Sequence, residues 1–172
     1  IQPNRFAELL LARLAGFSNA AHAVDVRSIG ESCQTGQKKF GEAIGLDWGN
    51  AILAYLLGMS HVGMRTSDIL AAVGFVTAKT GIDRVELVSI GHLGVPALHA
   101  AALEPDSFAS VSIEGSLVSW SNVVKLGVTH NQLHNAVHGA LPWYDLPDLA
   151  RLAGEKLVVA VSVDAMGSPI EE

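Results

Sequence analysis

Arg84–Gly115, RVELVSIGHLGVPALHAAALEPDSFASVSIEG, is the stretch whose reading decides the fold. Val85, Leu87, Val88 and Ile90 make Arg84–Ile90 a β-rich apolar run. Gly91-His92-Leu93-Gly94 reads as a tight turn. Pro96 suits the first turn of a helix, where its missing N–H would be unpaired anyway. Ala97–Glu104 favours helix, with Leu98, Ala101 and Ala102 on one face, and Pro105-Asp106 stops it. Ala109–Ile113 is a second strand. A strand–helix–strand unit of this length implies a right-handed crossover and a parallel sheet. In open parallel sheets, ligands bind beyond the carboxyl ends of the strands, so Gly91, Leu93 and Gly94 are the expected substrate-binding turn.

Outward from this unit, the pattern predicts an amphipathic helix over Phe6–Ala15 and a short strand over His22–Arg27. A loop is expected over Ser28–Gly45, then a helix from about Trp48 to Leu57 that Asp47 would cap. Gly58–Gly63 breaks the pattern. Asp68–Lys79 is the next helix, capped by Thr66 or Ser67 and closed by Gly81. Gly115–Leu126 is expected to be a loop with a short helix near Trp120. Thr129 with Gln132 predicts a capping box for a helix from His130 to about Gly139. Asp145–Leu152 is a short helix ending at Gly154, and Lys156–Val163 reads as the clearest buried strand of the chain. Strands at about 22–27, 85–90, 109–114 and 157–163, separated by helices, predict one α/β domain over residues 1–172: a three-layer sandwich with a mostly parallel sheet.

Composition narrows the function classes. The 172 residues suffice for one sizeable core. Apolar residues make up 49% and charged residues 16%, which argues for an interior-rich α/β chain and against disorder. The net charge of −6, without a Lys/Arg run, makes nucleic acid and anionic membranes poor partners. The longest apolar run, near Ala51–Leu57, is too short to span a bilayer. The chain begins at Ile1 and shows no signal-peptide layout. Cys33 is the single cysteine, so no internal disulfide is expected and a reducing, cytoplasmic compartment is slightly favoured. No cofactor is called for.

Four stretches together resemble the α/β-hydrolase superfamily, in its acetyl xylan esterase-like and dienelactone hydrolase-like branches. Val24–Ser32 is similar to the D-x-R-G-x-G-x-S stretch after the family's fourth strand. Leu57 through Leu70 is similar to the segment leading to the helix before the nucleophile elbow. Gly91–Pro105 resembles the elbow and its helix, and Lys156–Asp164 resembles the seventh strand and the acid after it. The resemblance implies ester hydrolysis on a small acyl or carbohydrate ester by a Ser-His-Asp triad. In the elbow register G-x-S-x-G, Leu93 stands where the serine belongs and Val95 where the second glycine belongs. The family's histidine lies well after the acid, and eight residues follow Asp164. The chain is therefore expected to correspond to the central and later part of such a domain.

The candidate residues each carry a plain structural reading beside the chemical one. Asp164, at a strand end, could orient a histidine; Asp and Gly are also expected in a turn such as DAMGSP. His92 could be catalytic or packed within the elbow. Ser60, next to His61 in GMSHVG, and Ser116, at the sheet's functional edge, are the hydroxyl candidates, with Ser89 a third, inside a strand. His130, His134 and His138 would line one helix face over about 12 Å. Only adjacent pairs could then share a metal, His134/His138 best, and an ordinary polar face is the alternative. Cys33 lies in a polar loop, where an inert thiol is the default.

Two functional expectations follow. The first is a carboxyl-ester hydrolase-like protein acting on small acyl esters. The second is a catalytically inactive homologue, a pseudoenzyme serving as a binding or assembly module. An incomplete sheet would expose an edge strand and apolar helix faces, so a homo-oligomer is expected.

Overall fold

The computed structural model describes residues 21–33, 44–45 and 47–170. The expected helix over 6–15 and residues 34–43 of the loop expected over Ser28–Gly45 lie outside these residues. The architecture is α/β. Helix α1 spans Trp48–Leu56 and α2 His61–Thr80. Strand β1 (Val85–Ile90) leads through a one-turn 3₁₀ segment into α3 (Gly94–Leu103), and α3 leads back to β2 (Phe108–Leu117). Helices α4 (Trp120–Leu126) and α5 (Leu146–Ala153) precede β3 (Leu157–Val163). Among the described residues the sheet has three strands in the order β1-β2-β3, all parallel, with Val85 opposite Phe108 and Leu117 opposite Val163.

The central β1–α3–β2 unit follows the sequence closely because its signals are local. Apolar residues at alternate positions of β2, among them Val111 and Ile113, turn into a core shared with Val95, Ala97 and Leu98 of α3 and Val62, Ile69 and Val73 of α2. Leu146, Leu149 and Ala153 of α5 close the same core. Gly94 permits close contact of α3 with the sheet: a Cβ there would overlap Ser116 and would lie 2.7 Å from Ile113 Cγ2.

Four expectations change. His22–Arg27 is not a strand; its backbone is irregular, and of its residues only Val26 is buried. The Arg27 N–H donates to Asp68 Oδ2 at 3.1 Å rather than to a ladder. The helix expected over Asp68–Lys79 starts at His61, because Ser60 caps it by accepting from the Gly63 N–H at 3.1 Å. Gly81 ends it in a left-handed conformation, as expected.

The helix expected over His130–Gly139 does not form. Asn131 is left-handed at φ 55, the His130 N–H donates to the Ala165 carbonyl, and only a 3₁₀ turn over Leu133–Asn135 remains. The three histidines therefore share no helix face. Finally, β3 is an edge strand among the described residues rather than a buried one. Val158 is 59% exposed and Val159 41%. The apolar run alone could not tell a central strand from an edge.

Asp145 organises the end of the core. Its carboxylate accepts from the N–H groups of Trp120 and Ser121 at the start of α4, at 2.7 and 3.1 Å, and from Leu146 at the start of α5 at 2.7 Å. Asp148 completes a capping box by accepting from the Asp145 N–H. Trp120 Nε1 donates to the Asn135 carbonyl, which fixes the 131–136 stretch against α4.

Gly94→Ala should lower stability by about 1–3 kcal/mol, since overlap with Ser116 and Ile113 forces α3 off the sheet. Urea denaturation would check this; an unchanged midpoint would show that the close approach is not needed.

Candidate functional site

The polar cluster at the carboxyl end of β1 is built on Asp47. This residue stands at the N-cap position of α1, but its carboxylate does not cap the helix. It turns instead to Arg65, whose Nη2 donates to Oδ2 at 2.6 Å, and both side chains are buried. Arg65 Nε also donates to the Arg27 carbonyl at 3.2 Å. The guanidinium thus joins α2, the start of α1 and the 27–28 turn. Arg27 in turn holds Asp68, one turn along α2 from Arg65, through Nε and Nη2.

Three histidines surround this pair. His61 lies one helical turn before Arg65, which puts the two on one face of α2. Its Nδ1 is 3.9 Å from Asp47 Oδ2. His134 comes from the 3₁₀ turn after Asn131, and its Nδ1 is 3.4 Å from Asp47 Oδ1. His92, in the turn after β1, packs edge-to-face on His134 with ring centroids 4.7 Å apart. On the far side of His61, Nε2 lies 3.4 Å from Ser28 Oγ, which also accepts from Asn50 Nδ2 at 2.7 Å.

The electrostatics follow from burial. Burial alone would raise the Asp47 carboxyl, but His134 and Arg65 outweigh it and hold the group well below the usual carboxylate range. Burial, reinforced by the Arg65 cation, lowers His61 to about 4. Burial, with His134 and Arg65 adding to it, lowers His92 to about 3. At neutral pH both rings are uncharged bases beside a compensated Asp–Arg pair. A cleft of about 540 Å³ opens beside His61, between α1 and the 133–138 stretch, with Ile52, Tyr55, Met59 and Val137 among its walls.

Of the residues singled out from sequence, His92 and His134 meet in this cluster. Gly91, Leu93 and Gly94 form the turn that carries His92. The left-handed position of that turn is Gly91, at φ 69, whereas Leu93 is right-handed and packs against the core. Ser60 caps α2, and Ser116 is buried in β2 against α3. Asp164 serves its own turn, accepting from the N–H groups of Met166 and Ser168 at 2.8 Å each. His138 is exposed and packs on Tyr55, away from His134's partners. Among the described residues no three His, Cys, Asp or Glu side chains are grouped to hold a metal ion, and no helix is long and apolar enough to cross a membrane.

The sequence reading missed Asp47, Arg65 and Ser28 as site residues. The available signal was an arginine one turn after a histidine at the apolar start of a helix. No family model, curated protein or solved structure matches the chain.

Two outcomes follow. Arg65→Met leaves Asp47 buried without its cation and should cost about 3–5 kcal/mol, much of it recovered by adding Asp47→Asn; a double-mutant cycle by denaturation would check this, and strict additivity would contradict it. The second concerns acid. A histidine whose folded value lies below its unfolded value of about 6.5 gains its proton on unfolding in the interval between them. The unfolded chain then binds more protons, so stability falls as pH falls. His61 and His92 together should cost about 2 kcal/mol between pH 6 and pH 5. Asp47, with its lowered value, adds its own loss only below about pH 4. Urea midpoints at pH 7, 6 and 5 measure this, and a flat profile would contradict it.

Proposed function

We propose that the chain is a carboxyl-ester hydrolase-like protein acting on small acyl esters, with its acid–base chemistry in the Asp47 cluster rather than at the elbow. The observation that carries this reading is His61: a buried, neutral imidazole with a carboxylate toward one ring nitrogen and a hydroxyl toward the other. General-base catalysis needs an uncharged base within reach of the proton it takes, and unliganded sites commonly show such contacts longer than in the working complex. The adjoining cleft has the volume usual for small-molecule sites. The ester as substrate rests on the resemblance to acetyl xylan esterase-like hydrolases, and the α/β-hydrolase sandwich belongs to the same proposal.

A second reading has its own observation. In a nucleophile elbow the strained residue between strand and helix carries the attacking hydroxyl. Here that residue is Gly91, which has no side chain. This favours an inactive homologue that binds or assembles, and the apolar, exposed Val158, Val159 and Val161 of edge strand β3 offer a surface for self-association.

Hydrolysis of 4-nitrophenyl acetate and butyrate by the intact chain separates the readings. The first predicts turnover above buffer that falls at least about 100-fold in His61→Gln, with the fold checked by circular dichroism. No turnover from folded protein would overturn it in favour of the second. Light scattering at micromolar concentration tests assembly, and a clean monomer would remove self-association.

A further inference from the structure

We propose that Ser28 is the nucleophile of this site and His61 its general base. This deepens the hydrolase reading and rests on it. Ser28 was not among the hydroxyls that the sequence singled out, although it lies within the Val24–Ser32 stretch.

Three observations point to it. The first is conformational. Ser28 is one of two non-glycine residues with positive φ among the described residues, at 65°. An L-residue in the left-handed region is disfavoured, and such strain persists where the surroundings impose it, often at reactive positions. The second is the direction of the hydroxyl proton. Asn50 Nδ2 donates to Ser28 Oγ at 2.7 Å, which uses an acceptor site on the oxygen. Among the described residues the Ser28 O–H is then left to point at His61 Nε2, at 3.4 Å. The third is the order of groups. The His61 ring has Ser28 Oγ 3.4 Å from Nε2 and Asp47 Oδ2 3.9 Å from Nδ1, the latter outside hydrogen-bond reach. The hydroxyl, imidazole and carboxylate thus lie in the order that nucleophilic serine chemistry uses, without the second hydrogen bond formed. Three separate segments supply them: the 27–28 turn, the first turn of α2 and the start of α1.

The other hydroxyls near the sheet's carboxyl end lack these features. Ser60 Oγ is engaged in capping α2, Ser116 is packed under Gly94, and Ser89 is buried within β1 with no partner for its hydroxyl among the described residues.

The chemistry balances without a further reactant beyond water. Ser28 Oγ bonds to the ester's acyl carbon while its proton passes to His61 Nε2. The tetrahedral adduct expels the alkoxide, which takes that proton and leaves as the alcohol. Water then attacks the acyl-serine, with His61 accepting its proton. Ser28 is released as it regains a proton from His61, and the product is the carboxylic acid. Asp47, behind the ring, faces the positive charge that His61 carries in each half.

The test is incubation of the intact chain with diisopropyl fluorophosphate, followed by intact-mass measurement and peptide mapping, with ester turnover measured in parallel. In the labelling step Ser28 Oγ displaces fluoride from phosphorus and loses its proton to His61. The expected result is a single adduct on Ser28, absent in Ser28→Gly and slowed at least about 100-fold in His61→Gln. Ser28→Gly relieves the left-handed strain, so it should unfold at an equal or higher temperature while losing both label and turnover. That separates loss of the nucleophile from loss of the fold. An adduct on Ser60, Ser89 or Ser116, or turnover that survives Ser28→Gly, would overturn Ser28 and leave the hydrolase reading standing. Folded protein with neither adduct nor turnover would overturn both.

Discussion

The buried pair of Asp47 and Arg65 is the constraint on which the site depends. Removing two charges from water is costly, and such a pair persists only where geometry and further hydrogen bonds compensate. Here Arg65 reaches Asp47 at 2.6 Å and the Arg27 carbonyl at 3.2 Å, so one side chain fixes three segments that are distant in sequence. Because Asp47 is committed to Arg65, it does not cap α1. The low values of His61 and His92 follow from desolvation, His61 being buried and His92 half-buried, and each feels the Arg65 cation.

The parts of the fold that were legible are those whose causes are local. β1, the turn at Gly91, α3 and β2 follow from apolar alternation, a glycine turn and a helix-forming run within one stretch of chain. Gly81, Asp145 and Gly154 punctuate their helices as their chemistry demands. The misread parts are those whose backbone partners lie far away. His22–Arg27 alternates like a strand, yet its Arg27 N–H finds Asp68. The stretch after Thr129 carries a capping-box pattern, yet His130 pairs with Ala165 and Asn131 turns left-handed. β3 shows the limit of composition, since a run of valines fits a central strand and an edge strand alike.

The site was legible in fragments. His92 was placed by the turn; His134 was singled out for a helix face that does not form, and the carboxylate that unites the two was read as a cap. Four segments supply Asp47, His61 with Arg65, His92 and His134, and no sequence interval encodes their meeting. The same holds for Ser28 beside His61. At the turn after β1, Gly91 occupies the left-handed position and Leu93 joins the core, so the turn carries His92 toward the cluster.

The claim at the centre of this account is that His61 and His92 are held neutral by burial beside the Asp47–Arg65 ion pair. NMR titration of the imidazole nitrogens from pH 8 to pH 5, with His61→Gln and His92→Gln used for assignment, measures it directly. The account predicts that His61 and His92 show no protonation step above pH 5 while the chain stays folded. Titration of either ring near pH 6.5 would show that it is solvated, and would contradict this account.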